Sequence, residues 1–143
     1  MGINLVGTWQ NELGSRLTIE SVQSGVLSGT YQTAVSSGAC AQGKFQVSGV
    51  TDTDSGDGGN NIGFAVSWRN DTSNCKSVTA WSGQVFNPGP NQVIFAFWLL
   101  TVESGAADVW QDTLIGQDTF WYGASQTPKV IAEKSKVVRR SHP

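Results

Sequence analysis

Charged residues, histidine and cysteine are all scarce in this sequence, and each scarcity argues against a class of function. Asp, Glu, Lys and Arg together make up 14% of the 143 residues, whereas about 25% is usual in soluble proteins. The single histidine, His142, lies close to the C-terminus, so a Cys–His catalytic pair is not predicted. The two cysteines, Cys40 and Cys75, lack the CxxC spacing and the histidine companions of a zinc site. They predict a disulfide, which implies an oxidising compartment.

A long apolar run is also missing. The longest one, residues 93–100, is too short for a helix that crosses a bilayer, which needs roughly 20 residues. No signal peptide is visible after Met1. A mature or trimmed chain would also lack one, so its absence does not exclude export. The expected disulfide predicts a secreted or periplasmic protein, and the lack of a long apolar run predicts that it has no membrane partner.

The net charge of −2 hides an uneven distribution of basic residues. Residues 126–143 contain five of the nine Lys and Arg and a single acid, so this tail carries +4 and residues 1–125 carry −6. A nucleic-acid-binding protein carries its basic residues on the folded surface, whereas a terminal charge run is usually solvated. We therefore predict one folded domain, 1–125, no nucleic-acid partner, and a basic tail, 126–143, that is disordered or packs on a neighbouring subunit.

Short stretches of alternating apolar and polar residues recur at even intervals. A period of two residues places each apolar set on one face of a strand. Eight antiparallel strands in one domain predict an all-β fold, an up-and-down β-barrel whose closure removes exposed edges. Such a barrel has room for one small ligand. The predicted strands are 7–11, 16–22, 27–33, 44–50, 62–68, 77–81, 93–101 and 113–122.

Tryptophans next to short polar residues mark the candidate site. Trp68, Trp81, Trp98 and Trp110 lie in or beside predicted strands that carry such residues. Tryptophan supplies rigid apolar area and the hydroxyls supply directed hydrogen bonds, which suits a pocket for one small ligand. Any one of these tryptophans, taken alone, is better explained as part of the core.

Neither a metal site nor an enzyme is predicted. The stretch 51–59 (TDTDSGDGG) lacks the acidic spacing and the terminal Glu of a calcium loop, so it is interpreted as a polar strand connection. No nucleophile–base pair is visible, so a catalytic site is not expected either.

Five segments, in this order, resemble the avidin/streptavidin family. They are 7–15 (GTWQNELGS), 29–35 (GTYQTAV), Trp68 with 77–84 (SVTAWSGQ), 98–101 (WLLT) and 110–120 (WQDTLIGQDTF). Any one motif is weak, but five collinear ones from Gly7 to Phe120 are specific. The resemblance implies an eight-stranded barrel that binds biotin without catalysis and without a cofactor.

The resemblance also implies a role for each matching residue. Asn11, Ser15 and Tyr31 would donate to the ureido oxygen of biotin, and the ureido N–H groups would donate to two acceptors. Trp68, Trp81 and Trp98 would form apolar walls. The complete implied set in one subunit is Asn11, Ser15, Tyr31, Thr33, Val35, Ser37, Trp68, Ser77, Thr79, Trp81, Trp98, Leu100 and Asp118.

Within that set, Thr33 and Asp118 are the implied acceptors, and Thr79 faces the thioether sulfur. Ser77 and backbone N–H groups between Val35 and Ser37 would meet the carboxylate of biotin.

Three features concern assembly, the pocket mouth and the packing deeper in the barrel. The resemblance implies that Trp110 enters the pocket of a neighbouring subunit, which predicts a homo-oligomer, with a tetramer favoured over a dimer. A Cys40–Cys75 bridge would tie two loops together, as in bridged-pocket members of the family, some of which are dimers. Phe64 stands where the family often has another tryptophan.

One other binding function remains open. A lipocalin-like barrel could carry a different small apolar ligand. The polar residues Asn11, Ser15, Tyr31, Thr33 and Asp118 argue against it, because an apolar ligand needs few hydrogen-bond donors.

Overall fold

The computed structural model describes residues 3–34, 42–52, 60–71, 74–107 and 113–123. Within them, each strand pairs antiparallel with the next along the chain, and the last pairs with the first, so the sheet closes into a barrel. The predicted all-β, eight-stranded antiparallel barrel is confirmed. The strands are β1 (Gly7–Asn11), β2 (Arg16–Gln23), β3 (Val26–Gln32), β4 (Lys44–Thr51), β5 (Asn61–Arg69), β6 (Asn74–Phe86), β7 (Val93–Val102) and β8 (Thr113–Tyr122).

Strand β6 is much longer than the sequence pattern predicts. The pattern ends at Trp81, whereas the strand continues to Phe86. Gly83 interrupts the alternation because it has no side chain, yet it pairs regularly with Ile62 and Ala96. A Cβ at this position would overlap with the carbonyl oxygen of Phe95. The close approach of β7 therefore requires glycine at the point where the apolar pattern is lost.

The core fills the barrel interior through the alternation of each strand. Leu17, Val47, Val66 and Ile94 are completely buried, each on the inward face of a different strand. Trp9 is also fully buried, and its indole N–H donates to the carbonyl of Leu5 at 2.9 Å.

The two ends of the barrel differ. At one end, Gln92 pairs with the backbone of Asn4: its Nε2 donates to the Asn4 carbonyl at 2.7 Å, and its Oε1 accepts from the Asn4 amide at 2.6 Å. At the other end lie the last residues of β1, β3, β5 and β7, because strand direction alternates around the barrel. Most of the predicted binding residues belong to this second end, which we call the mouth.

Some predicted features lie outside the described residues: Val35, Ser37, Cys40, Trp110 and the tail 126–143. In the described part of the chain, no helix has the length and apolar character that a membrane crossing needs.

Candidate functional site

The turn after β1 fixes the direction in which Asn11 can donate. Its Oδ1 accepts from two backbone amides, Leu13 N at 3.0 Å and Ser15 N at 2.9 Å. Because two N–H donors require the oxygen at that position, the amide group has one orientation only. Its Nδ2 therefore faces the barrel interior, where it lies 3.5 Å from the hydroxyl of Tyr31.

Ser15 follows in the same turn and is completely buried. Its Oγ accepts from the backbone amide of Ala34 at 3.0 Å, which connects this turn to the end of β3. Ser15 also hydrogen-bonds Tyr31. The predicted donors Asn11, Ser15 and Tyr31 are thus brought together at one place, although 20 residues separate the first from the last.

Tyr31 lies at the centre of this cluster. Burial raises the pKa of its hydroxyl well above the ordinary value of 10.0, the carboxylate of Asp118 raises it further, a hydrogen bond from Ser15 lowers it in part, and Glu12 raises it. The hydroxyl consequently keeps its proton at neutral pH and can act as a donor.

Asp118 is held by the indole of Trp81. The Nε1–H of Trp81 donates to Asp118 Oδ2 at 2.9 Å, and both side chains are nearly fully buried. Trp81 itself stacks on Phe64, with ring centroids 4.8 Å apart and an interplanar angle of 17°. The ring of Tyr31 packs against Trp81, with centroids 5.2 Å apart. The indole therefore serves both as an apolar surface and as the donor that orients the carboxylate.

A second indole orients Thr79. Trp68 Nε1 donates to Thr79 Oγ1 at 2.8 Å, and both residues are buried. Phe45 and Trp68 form a T-shaped pair, with ring centroids 5.0 Å apart. Because the Thr79 oxygen accepts this bond, its hydroxyl proton points away from Trp68.

The remaining predicted residues lie closer to the mouth or along the same wall. Trp98 pairs with Trp81 across β6 and β7, and Leu100 pairs with Thr79 one inward position further on. Leu100, Ser77 and Thr33 are half-buried, in agreement with positions nearer the opening. Val35, Ser37 and Trp110 belong to the residues that are not described.

Comparison with known proteins identifies the family. The model of the avidin family matches residues 1–122. The chain belongs to the avidin family. The earlier resemblance is thereby confirmed.

Three curated relatives align with most of this avidin-family chain. It is 31% identical over 126 residues to afifavidin of Afifella pfennigii, covering 86% of this chain and 74% of the relative. It is 32% identical over 120 residues to avidin of Gallus gallus, covering 82% and 76%. Avidin-related protein 4/5 of Gallus gallus is 32% identical over 122 residues, with the same two shares.

The avidin barrel contains site neighbours that sequence reasoning did not single out. Phe45 and Phe120 enclose the cluster, since Phe120 contacts both Tyr31 and Trp81 at 6.5 Å between centroids. Both residues occupy inward positions in the alternating pattern of their strands, and this pattern could have identified them as neighbours of the site. Glu12 is 2% exposed, and its Oε2 accepts from the amide of Thr119 at 2.8 Å. Its place inside the first avidin-like motif was the available signal, but a lone Glu in a turn ordinarily indicates a solvated charge.

The buried cluster contains the kinds of group that small-molecule sites use. Among the residues that the structure describes, no group of three or more His, Cys, Asp or Glu could hold a metal ion. The cluster instead combines oriented donors, an oriented carboxylate and rigid aromatic surfaces in a buried place, which are the elements of a small-molecule site.

The raised pKa of Tyr31 predicts a loss of stability at alkaline pH. The contribution is fully present below about pH 10 and is lost as the pH rises through the raised folded-state pKa, because the unfolded chain releases its proton first. Between about pH 10 and the raised folded-state pKa, the wild type should lose up to about 1.4 kcal/mol of stability per pH unit more than Tyr31→Phe. Urea unfolding at several alkaline pH values measures the two slopes, and equal slopes would contradict the assignment.

Proposed function

We propose that this chain is a non-catalytic, high-affinity biotin-binding protein, with the ligand held in the barrel mouth. The observation that supports this most is the buried polar cluster of Asn11, Ser15, Tyr31 and Asp118, each at most 1% exposed. Hydrogen bonds within the protein already orient these groups, as in the bond from Trp81 Nε1 to Asp118 Oδ2 at 2.9 Å. A ligand with matching polar atoms would use their orientation, and membership in the avidin family supports biotin as that ligand.

The ureido oxygen of biotin would meet Asn11 Nδ2, Ser15 Oγ and the Tyr31 hydroxyl. Three donors on one oxygen favour the charge-separated form of a urea. The turn after β1 and the hydrogen bond between Ser15 and Tyr31 hold these donors in place before the ligand arrives, in the way that an oxyanion hole is preorganised although nothing reacts here.

The opposite edge of the urea would meet acceptors. Asp118 as a carboxylate would form a charge-assisted hydrogen bond with one N–H group, stronger than a neutral bond, and Thr33 would accept from the other. Thr79 would face the thioether sulfur. The apolar rings would lie against Trp68, Trp81 and Trp98, with Leu100 beside them.

Nearer the opening, Ser77 and backbone amides between Val35 and Ser37 would bind the carboxylate of biotin. A lipocalin-like carrier for another apolar ligand is the alternative. It would leave the polar cluster without matching groups, and such a site rejects analogues that lack them.

We also propose that the chain assembles into a homo-oligomer, with a tetramer favoured over a dimer. The outward faces of β7 and β8 support this: Phe95, Phe97, Leu99 and Ile115 are 50–64% exposed. An open groove of about 810 Å³ adjoins them and shares Phe95 and Phe97. Contiguous exposed apolar surface of this kind marks an interface. In such an assembly Trp110 would enter the pocket of a neighbouring subunit.

The expectation that Cys75 lies in a loop is wrong, because it belongs to β6 (Asn74–Phe86). A Cys40–Cys75 disulfide would connect the beginning of this strand, at the mouth, to the segment that follows β3. Within the described part of the chain, no cysteine is a free thiol, which supports this pairing. The bridge would reduce the ordering cost of ligand binding and implies a secreted or periplasmic location. In this proposal residues 1–125 form the binding domain and 126–143 a basic tail.

Asp118→Ala should weaken biotin binding while the barrel stays folded. The expected loss is about 1.5–3 kcal/mol, the range for a hydrogen bond that involves a charge, or roughly 10- to 150-fold in Kd. Tryptophan fluorescence and calorimetric titration with biotin measure it. Asp52→Ala, which removes an exposed carboxylate on the far side of the barrel from the mouth, is the matched control and should leave Kd unchanged. A loss well under 0.5 kcal/mol (about twofold) for Asp118→Ala would refute its role.

Phe97→Glu should reduce the assembly to smaller species, because a charge would replace apolar surface at the proposed interface. Light scattering at several protein concentrations measures the mass. Glu20→Lys places a charge change on the exposed face of β2 and serves as the control. A wild-type monomer, or the same mass for Phe97→Glu and the wild type, would contradict the proposed interface.

The intact mass of the unreduced protein should be two hydrogens below the value for two thiols. Reduction should restore them and lower stability by about 2–4 kcal/mol. Labelling of two free thiols in the untreated protein would exclude the bridge.

A further inference from the structure

The seam that closes the barrel is short. Among the described residues, β1 and β8 pair at three positions, from Trp9 with Tyr122 to Asn11 with Phe120, whereas β7 and β8 pair at nine. After Asn11 the chain turns away, since Gly14 N donates to the Asn11 carbonyl at 3.0 Å. The backbone of β1 therefore supplies no acceptor for the next amide of β8 in the direction of the mouth.

The side chain of Glu12 supplies that acceptor. Its Oε2 lies 2.8 Å from the backbone nitrogen of Thr119, the residue directly before Phe120. The carboxylate thus adds one hydrogen bond to the seam in place of a backbone rung. A bond from an amide to a charged acceptor is shorter and stronger than a neutral one.

This bond is made next to the candidate site. Thr119 directly follows Asp118, whose side chain points inward and accepts from Trp81 Nε1 at 2.9 Å. In a strand, fixing one peptide group fixes the direction of the neighbouring side chains. The other oxygen of Glu12, Oε1, is buried and has no hydrogen-bond partner among the described residues. A buried, half-satisfied carboxylate is costly, so Glu12 is a poor choice for stability alone.

We propose that Glu12 is a positioning residue for Asp118. It holds β8 at Thr119 so that the Asp118 carboxylate reaches the Trp81 indole and faces the ligand. Its consequence for the ligand rests on the proposed biotin function, whereas its effect on Asp118 exists without any ligand.

The Trp81 indole N–H reports the position of Asp118 in the ligand-free protein. We expect Glu12→Ala to shift the indole resonance in nitrogen–proton spectra and to speed its exchange with solvent by about tenfold, as the loss of a buried hydrogen bond allows local opening. Glu12→Gln retains an acceptor oxygen and should restore most of the wild-type signal. Glu12→Asp keeps the charge, but its shorter side chain does not reach Thr119 N, so it should behave like Glu12→Ala. If the alanine variant does not fold, Glu12→Asp replaces it in the test.

Gln92→Ala is the matched control. Gln92 is also 2% exposed and also holds backbone through its side chain, but at the end of the barrel away from the mouth. It should lower stability and leave the Trp81 signal in place. An unchanged Trp81 signal in both Glu12→Ala and Glu12→Asp, or the same shift in Gln92→Ala, would overturn the proposal.

A double-mutant cycle tests the consequence for the ligand. Glu12→Ala should weaken biotin binding by about tenfold when Asp118 is present and by less than about twofold in Asp118→Ala, because residues that act together are not additive. Equal losses in the two backgrounds would overturn the positioning role. If the wild type does not bind biotin, the proposed function fails, and the indole measurement still decides the role of Glu12.

Discussion

The interior of a closed barrel forces its polar side chains to satisfy one another, and the candidate site depends on this constraint. Closure places the inward residues of all eight strands in one shared volume. Tyr31, Asp118 and Thr79 are buried there together with large aromatic rings. Each polar group is therefore held in one direction by a neighbour rather than by solvent.

The buried tryptophans supply both the hydrogen bonds and the apolar surface of the site. Trp81 donates to Asp118 and Trp68 donates to Thr79, while their ring faces remain apolar surface. A phenylalanine at either position would keep much of the area and lose the orientation of the polar partner. The same side chains thus define the shape of the site and the direction of its hydrogen bonds, which explains why hydroxyls and indoles occur together along these strands.

The outer surface follows a different rule. On β7 the outward residues Phe95, Phe97 and Leu99 are apolar, whereas an ordinary half-buried strand has polar residues on that face. A strand that is apolar on both faces is typical of one covered on both sides. The avidin barrel therefore combines a buried cluster of oriented polar groups in its interior with an apolar strand face on its exterior. The short β1–β8 seam, supplemented by Glu12, is the place where the backbone pairing of the barrel is least extensive within the described residues.

Alternation with a period of two residues was sufficient to predict the number of strands, their antiparallel order and the closed barrel, because each strand reports its own buried face. Collinear motifs predicted the family, and with it the proximity of Asn11, Ser15 and Tyr31 inside the barrel. The extension of β6 through Gly83 was not predictable, since the need for glycine comes from the backbone of β7 rather than from the local sequence. Nor was the burial of Glu12 predictable, because its acceptor role exists only where β8 returns beside the end of β1. The sequence by itself determined which residues face inward; only the tertiary structure decided which of them meet, since hydrogen bonds between Trp81 and Asp118 or Glu12 and Thr119 join residues that are distant along the chain and adjacent only after closure.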